Sequence, residues 1–373
     1  MQRLISLAVL ALVAGGGWTY LQNSSPGTVQ RAVQAVGNAV RQAPGITPSQ
    51  PTGPQAGGYN QPPAYGGGYV SGPAGFAPPP QPGAAPTIRI AAFNIQTFGQ
   101  AKASKPYVMD AIARVVRSFD VIAIQEIRTQ DDRFIPNFLR DYVNKGVTSG
   151  HMYDARVSPR LGRTQSTEQY AFLFNTATIE VHPQFCAVIP DPEDRLHREP
   201  YAALFRTRIV APYKPFTFTL INIHTDPDEA AEEIDALYHV YRQVQRTTID
   251  GAVEDDVILL GDLNTAVPAA SRYTPNADRR PLSPRDLGLL ARIPGIAPLI
   301  RNEATNVRGS RLHDNLLIPS LTTIEYLNHG VMDLRTQLGY TLTQDQVLQI
   351  SDHLPVWGEF SAIEGDSYRS AAR

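Results

Sequence analysis

Asp256-Val-Ile-Leu-Leu-Gly-Asp-Leu-Asn264 is a short apolar run that ends by presenting a carboxylate and a carboxamide two residues apart. Read as a strand, whose side chains alternate with period two, it sends Asp262 and Asn264 to the same side of a sheet edge. A carboxylate at the end of a buried strand must find a metal, a donor or water. Gly261 lets the backbone bend or approach a neighbour there. An Asp-Asn turn that merely closes a strand is the bland alternative. Repetition weighs against it. The runs Ile90–Asn94, Val121–Glu126, Phe218–His224 and, across a turn, Ile350–His353 also place Asn, Glu, His or Asp-His where an apolar stretch stops. Polar groups converging from several strand ends are how active sites are built on layered sheets.

Composition narrows the chemistry. The chain has 373 residues, 42% of them hydrophobic, enough for a sizeable core. Its net charge of −2 offers no general attraction for nucleic acid, so a polyanionic substrate would need local arginines or a bound cation. Cys186 is the only cysteine, which excludes an intrachain disulfide and a cysteine-built zinc site; in Phe-Cys-Ala-Val-Ile it reads as a core thiol. No Gly-x-Gly-x-x-Gly or Walker pattern follows any strand, which disfavours nucleotide cofactors.

The positioning elements are expected within 87–362. The pattern gives a strand at 87–94, a helix at 104–118, a strand at 120–126, a helix at 132–144 and a strand-rich middle at 151–223. A helix at 228–249 follows, then a strand at 256–262, an irregular stretch, and strands near 313–318, 322–327 and 354–361. Strands interspersed with helices, some strands in pairs, imply mixed sheets covered by helices. Asp226, Pro227 and Glu229 read as cap, first helical position and capping box of the helix that fixes the turn after His224.

Ahead of this domain, 1–21 combines Arg3 with an apolar segment and reads as an export signal or membrane anchor, with secreted and membrane-tethered forms both open. The stretch 22–86 is a Pro/Gly-rich low-complexity linker with a short amphipathic helix at 28–42, and 363–373 is a flexible tail. Tyr59, Tyr65 and Tyr69 belong to the spacer.

Taken together, Ile90-Ala-Ala-Phe-Asn-Ile-Gln-Thr-Phe-Gly99, Ile124-Gln-Glu-Ile-Arg128, Leu161-Gly-Arg163 with Glu168-Gln-Tyr-Ala-Phe-Leu-Phe174, and Arg198-Glu-Pro-Tyr201 form the first half of an ordered set of motifs. His224 with Leu237-Tyr-His-Val-Tyr241, Gly261-Asp-Leu-Asn264, Thr305-Asn306, His313-Asp-Asn315 and Ile350-Ser-Asp-His-Leu-Pro-Val356 complete it. The set resembles the deoxyribonuclease I family of the endonuclease/exonuclease/phosphatase superfamily and spans essentially all of 87–362. The resemblance implies a four-layered α/β sandwich, two mixed sheets packed face to face, with the site at one end.

By the same resemblance, Glu126 is the main metal ligand with Asn94 beside it. Asp262, Asn264 and Asp352 complete the metal and phosphate shell, and the ion is Mg²⁺ or Mn²⁺. His353 and His224 become the base and acid pair, with Asp314 and Glu168 as their respective carboxylate partners. Arg128 is implied to enter the DNA minor groove and Arg198 to contact phosphate. Thr305 and Asn306 join the substrate-binding set. Two departures from the family remove duplex contacts: Gln96 replaces an arginine and Ser166 a tyrosine. The family's disulfides are absent, so the loops at 190–197 and 264–284 are held by packing or by a structural Ca²⁺, for which Asp191, Glu193 and Asp194 are candidates in an otherwise solvated loop. His151, His182, His197, His239, His313 and His329 receive a structural reading.

The expectation is therefore an exported, divalent-metal-dependent endonuclease that cuts DNA with little sequence preference, leaving 5′-phosphate ends. The chain is read as a monomer, with no protein partner and with membrane contact only through 1–21. A sphingomyelinase-like phosphodiesterase acting on a lipid headgroup is the alternative in the same superfamily, and an inactive surface-binding relative is the alternative outside enzymology. An inositol phosphatase is disfavoured because His313-Asp-Asn-Leu-Leu lacks a Trp-Cys-Asp-Arg type of motif. The export segment disfavours an abasic-site repair nuclease.

Overall fold

A computed structural model describes residues 86–365, apart from 147–151, 165–166, 266, 268–279 and 340. The leader, the linker with its helix at 28–42, Ser166, His151 and most of the 264–284 loop lie outside the described residues.

In chain order the elements are β1 (Thr87–Phe98), α1 (Pro106–Val116), β2 (Val121–Ile127), α2 (Phe134–Phe138), β3 (Tyr153–Val157), β4 (Gln169–Asn175), β5 (Ile179–Val188), β6 (Tyr201–Thr207) and β7 (Thr217–His224). There follow α3 (Ala230–Gln245), a small hairpin of β8 (Thr248–Ile249) and β9 (Ala252–Val253), and β10 (Val257–Asp262). The chain ends with β11 (Ile296–Pro298), β12 (Asp314–Pro319), β13 (Tyr326–Val331), α4 (Gln344–Ile350) and β14 (Val356–Ser361). One sheet has the order β13-β14-β1-β2-β4-β3, the other β11-β12-β10-β7-β6-β5. Each is mixed: β1 with β2 and β7 with β10 pair in parallel, and the remaining neighbours pair antiparallel.

Alternation in β1 explains the layering. Ile88, Ile90 and Ala92 join the core shared with Leu220, Ile258 and Leu316 of the second sheet, while Ala91 and Phe93 join the core shared with Val108 and Ile112 of α1. The side chains of α3, including Leu237 and Tyr241, close the far face of the second sheet. This is the expected four-layered sandwich. Between the sheets, Gln125 Nε2 donates to Asn222 Oδ1 at 2.6 Å, and Asn222 donates on to the Ile124 carbonyl. This bond between two fully buried carboxamides ties β2 to β7.

Several expected boundaries are corrected. The helix after His224 starts at Ala230, and its end is not capped as expected. Asp226 Oδ1 accepts from Asp228 N, Glu229 pairs with Arg163, and it is Glu233 that reaches back to accept from Asp226 N at 3.1 Å. The helix stops at Gln245 because Asp250-Gly251, both at positive φ, turn the β8–β9 hairpin, a turn type that Asp-Gly favours. The 132–144 helix is only α2 followed by a π-turn at Leu139–Val143. The strand expected at 322–327 begins at Tyr326, since Thr322 and Thr323 turn back onto the Pro319 carbonyl. Helix α4 was not anticipated, although Thr343 and Gln346 form its capping box. The 363–373 tail is ordered at its start: Ile363 bridges Pro215 and is buried.

Candidate active site

The parallel pairs at the centre of each sheet bring their C-terminal ends to the same end of the sandwich. Registers then place the chemistry: His224 on β7 is opposite Asp262 on β10, which is opposite Asp314 on β12. Three adjacent strands so deliver an imidazole and two carboxylates in one row. Close pairing of β10 with β7 needs Gly261, at φ +136°, where an added Cβ would collide with the Ile223 carbonyl. From the other sheet, Asn94 stands where β1 bulges away from β2. Glu126 stands where β2 bulges away from β4 and takes a left-handed conformation, φ +62°. That conformation costs a non-glycine residue about 1–3 kcal/mol and turns Glu126 toward the site while Gln125 stays in the core.

Two imidazole–carboxylate pairs face each other. His224 Nδ1 lies 2.8 Å from Glu168 Oε1, and His353 Nδ1 lies 2.9 Å from Asp314 Oδ2. Each ring's Nε2 is 3.7 Å from the same atom, Asp262 Oδ2. Asn94 Nδ2 donates to that oxygen at 2.9 Å and to Glu126 Oε1 at 3.3 Å. Thr97 N donates to Glu126 Oε2 at 2.9 Å. Burial alone would discharge these groups, but the pairing outweighs it. His224 is raised from its ordinary value by Glu168 and Asp262, and His353 is raised to about 10 by Asp314 and Asp262. Burial also opposes the charged form of Asp262, yet the two imidazoles, with His313 and Asn94, hold it below the usual carboxylate range; Glu168 is lowered likewise by His224, Arg198 and Arg128.

The cleft is lined by Asn94, Glu126, Arg128, Arg198, His224, Asp262, Asn264 and His353, together with Thr164, His197, Asp226 and Pro227. Asn264 N donates to Asp262 Oδ1 and its Nδ2 to the Thr225 carbonyl, so Asn264 pins the strand end while lining the cleft. An adjoining hollow, sharing His353, is lined by Gln96, Asn306, Arg308, His313, Leu348 and Asp352. Asp352 lines this adjoining hollow, next to His353.

Several of the residues expected to bind substrate also hold neighbouring groups of the site in place. Arg198 is buried, with Nε 3.3 Å from Glu168 Oε2 and Nη1 donating to the His224 carbonyl, so it braces the Glu168–His224 pair. Thr305 is fully buried, and its hydroxyl accepts from His313 N and Asp314 N at 2.9 and 3.0 Å, which positions Asp314. Asn306 Oδ1 accepts from Ser310 N and Arg311 N, closing its own loop at the rim of the adjoining hollow. Arg128 lines the cleft and spans Glu126 and Glu168, at 3.5 and 3.4 Å. The loop at 190–197 is closed by Asp191 Oδ2 accepting from Leu196 N and by Arg163 against Asp194. Asp191, Glu193 and Asp194 do not converge as ligands.

Other participants carried little or no sequence signal. Ser351, fully buried, donates to the Asn94 carbonyl and accepts from Gln96 N and His353 N, which links β1 to the His353 turn. His313, read from sequence as structural, packs its ring against that of His353, with centroids 5.5 Å apart and planes tilted by 46°.

The donor set fits a hard divalent cation. Asn94 Oδ1 and Asp352 Oδ1 are buried oxygens with no hydrogen-bond partner, and Glu126 adds a carboxylate beside Asn94. All are oxygens, the donors such an ion prefers. Asp262, Asp314 and His353 also converge, with ligating atoms all within 4.8 Å, but His353 already holds both acids by charge.

A model described as the endonuclease/exonuclease/phosphatase family matches residues 91–353. Over 275 residues the chain is 32% identical to deoxyribonuclease-1-like 2 of Mus musculus, covering 73% of this chain and 91% of that protein. Deoxyribonuclease gamma of Homo sapiens is 28% identical over 276 residues, covering 72% and 84%. Deoxyribonuclease-1-like 1 of Sus scrofa is 32% identical over 282 residues, covering 75% and 82%.

Proposed function

The chain belongs to the endonuclease/exonuclease/phosphatase family, and we propose that it is an exported endonuclease that hydrolyses DNA phosphodiester bonds with little sequence preference, using Mg²⁺ or Mn²⁺ and leaving 5′-phosphate ends. One observation carries the chemistry: two carboxylate-backed imidazoles aim their Nε2 atoms at one point, Asp262 Oδ2. With each Nδ1 proton given to Glu168 or Asp314, each Nε2 is left to handle a proton at the cleft. One takes a proton from the attacking water as the other protonates the departing 3′ oxygen. Asp262 steadies whichever ring is charged. Glu126 and Asn94, with Asp352 on the adjoining side, would hold a divalent cation, which when bound would supply Lewis-acid polarisation of the phosphate. Arg128 and Arg198 add positive charge to the lining of an otherwise acidic site, as an anionic diester requires. The deoxyribonuclease relatives support DNA over a lipid headgroup.

The test of substrate is a comparison on one preparation: supercoiled plasmid, single-stranded DNA, RNA and sphingomyelin vesicles, each with Mg²⁺ and with a chelator. Plasmid nicking that stops with the chelator is the expected result. Intact plasmid with release of phosphocholine would transfer the site to lipid hydrolysis.

A second expectation concerns pH. Asp314 raises the pKa of His353, so Asp314→Asn lowers it. The limb of the pH–rate profile that belongs to His353 must then move to lower pH: the acid limb if His353 is the base, the alkaline limb if it is the acid. An unmoved profile would detach Asp314 from that imidazole's titration.

A further inference from the structure

Glu233 is a buried acid that the chemistry described above does not use. It stands in the first turn of α3 and is only 1% exposed, a setting in which a carboxylate is costly unless donors compensate it. The donors are two backbone amides far apart in the chain. Oε1 accepts from His197 N at 2.7 Å and Oε2 from Asp226 N at 3.1 Å. Both amides belong to residues that line the cleft, His197 next to Arg198 and Asp226 two residues after His224. The bonds beyond them close a circuit. From His197 the chain passes to Arg198, whose Nε is 3.3 Å from Glu168 Oε2; Glu168 Oε1 is 2.8 Å from His224 Nδ1; and from His224 the chain returns to Asp226. Arg198 Nη1, donating to the His224 carbonyl, crosses the circuit. The second imidazole–carboxylate pair lies outside it, since Ser351 holds His353 N and Thr305 holds Asp314 N.

We infer that Glu233 is a positioning residue for His224: by holding the His197 and Asp226 amides together it fixes the Arg198-braced Glu168 against the imidazole, and with it the direction of His224 Nε2. The inference rests on the nuclease reading of the cleft. If the 197–198 segment moved against the 224–226 turn, Arg198 and Glu168 would move with it, and a misplacement of about 1 Å can cost about 10²-fold in rate. Arg128 also reaches Glu168, but from the cleft itself, so the buried Arg198 is the fixed support. Burial pushes the Glu233 carboxyl up to about 7, against the two amides and Arg198, which favour its charge. A neutral side chain of the same shape should therefore be tolerated there. Glutamine, however, offers one accepting oxygen to two amides, and its NH₂ group can accept from neither. Glu233→Gln thus opens the circuit at one amide without emptying the space.

The test is Glu233→Gln in the full chain, with two readouts. The first needs no activity. The Nδ1 protons of His224 and His353, each shared with a buried carboxylate, give downfield proton resonances that are assigned by their loss in His224→Ala and His353→Ala. Glu233→Gln should shift or broaden the His224 resonance and leave that of His353 in place. The second readout is plasmid nicking in Mg²⁺ above pH 7, where Glu233 is ionised in the parent. There kcat should fall by about 10-fold, more than KM rises, and the same substitution should add nothing to His224→Ala. An unmoved His224 resonance, or an equal loss of rate on top of His224→Ala, overturns the inference. A lowered Tm with both readouts unmoved makes Glu233 a helix-entry cap only, which overturns it too. Glu233→Asp, which keeps the charge but is one methylene shorter, carries the same expectations and serves if the glutamine variant does not fold. A parent chain that leaves plasmid intact would sink the nuclease reading instead, and the two resonances would still decide the role of Glu233.

Discussion

Alanine at His353, or at His224, is expected to slow plasmid cleavage by about 10²–10⁴-fold while leaving the thermal transition of the protein in place. The size follows from what is lost. Each ring supplies a proton-handling Nε2 that faces Asp262 Oδ2 at 3.7 Å, and each is prepared by a carboxylate at 2.8 or 2.9 Å from its Nδ1. Removing a ring leaves Glu168 or Asp314 without its imidazole, but Glu168 keeps Arg198 and Arg128, and Asp314 N keeps the Thr305 hydroxyl. Folding should therefore survive. Groups that act as a unit are not additive, so the double variant should be little slower than the worse single. Single-turnover rates check both points; near-parental turnover in either single variant removes that residue from the chemistry.

Glu126→Gln is expected to raise the Mg²⁺ concentration needed for half-maximal cleavage by more than the roughly 10–100-fold typical of losing a mere supporting partner, because a ligand itself is changed. The substitution keeps the shape and removes the charge. It also gives Oε2, which accepts from Thr97 N, or Oε1, which accepts from Asn94 Nδ2, over to an amide nitrogen that can accept neither. A left-handed conformation carries a local cost, and among the site residues Glu126 and Asn264 bear it, Glu126 with its carboxylate held by a backbone amide. An unchanged metal requirement would show that the cation is held elsewhere, with Asp262, Asp314 and His353 the next group to examine.

The pattern of strands and helices was enough to anticipate mixed sheets and the strand ends that bear Asn94, Glu126, His224 and Asp262; the four-layered sandwich and the two histidine–carboxylate pairs came from the family resemblance. It could not show direction. Arg198 and Thr305 sit in motifs beside the chemistry, yet they turn inward to hold Glu168 and Asp314, because a buried carboxylate needs donors from whatever lies nearest. Asp352 adjoins His353 in the chain but faces the neighbouring hollow, as successive side chains at a turn diverge. The role of His313 depends on a ring contact between β12 and the turn before β14, which no local pattern announces. Local signals for the hairpin and for α4 were present in Asp250-Gly251 and in Thr343 with Gln346 but went unread, while the cap read at Asp226, Pro227 and Glu229 is not the one that forms.

The most direct measurement puts supercoiled plasmid with the wild-type chain and with the His224→Ala/His353→Ala double variant, each in Mg²⁺ and in chelator, on a single gel. Open circles should accumulate only with the wild-type chain in Mg²⁺. Nicking by the double variant at the wild-type rate, or wild-type nicking that persists in chelator, would contradict a site in which two imidazoles and a cation act on the same phosphate.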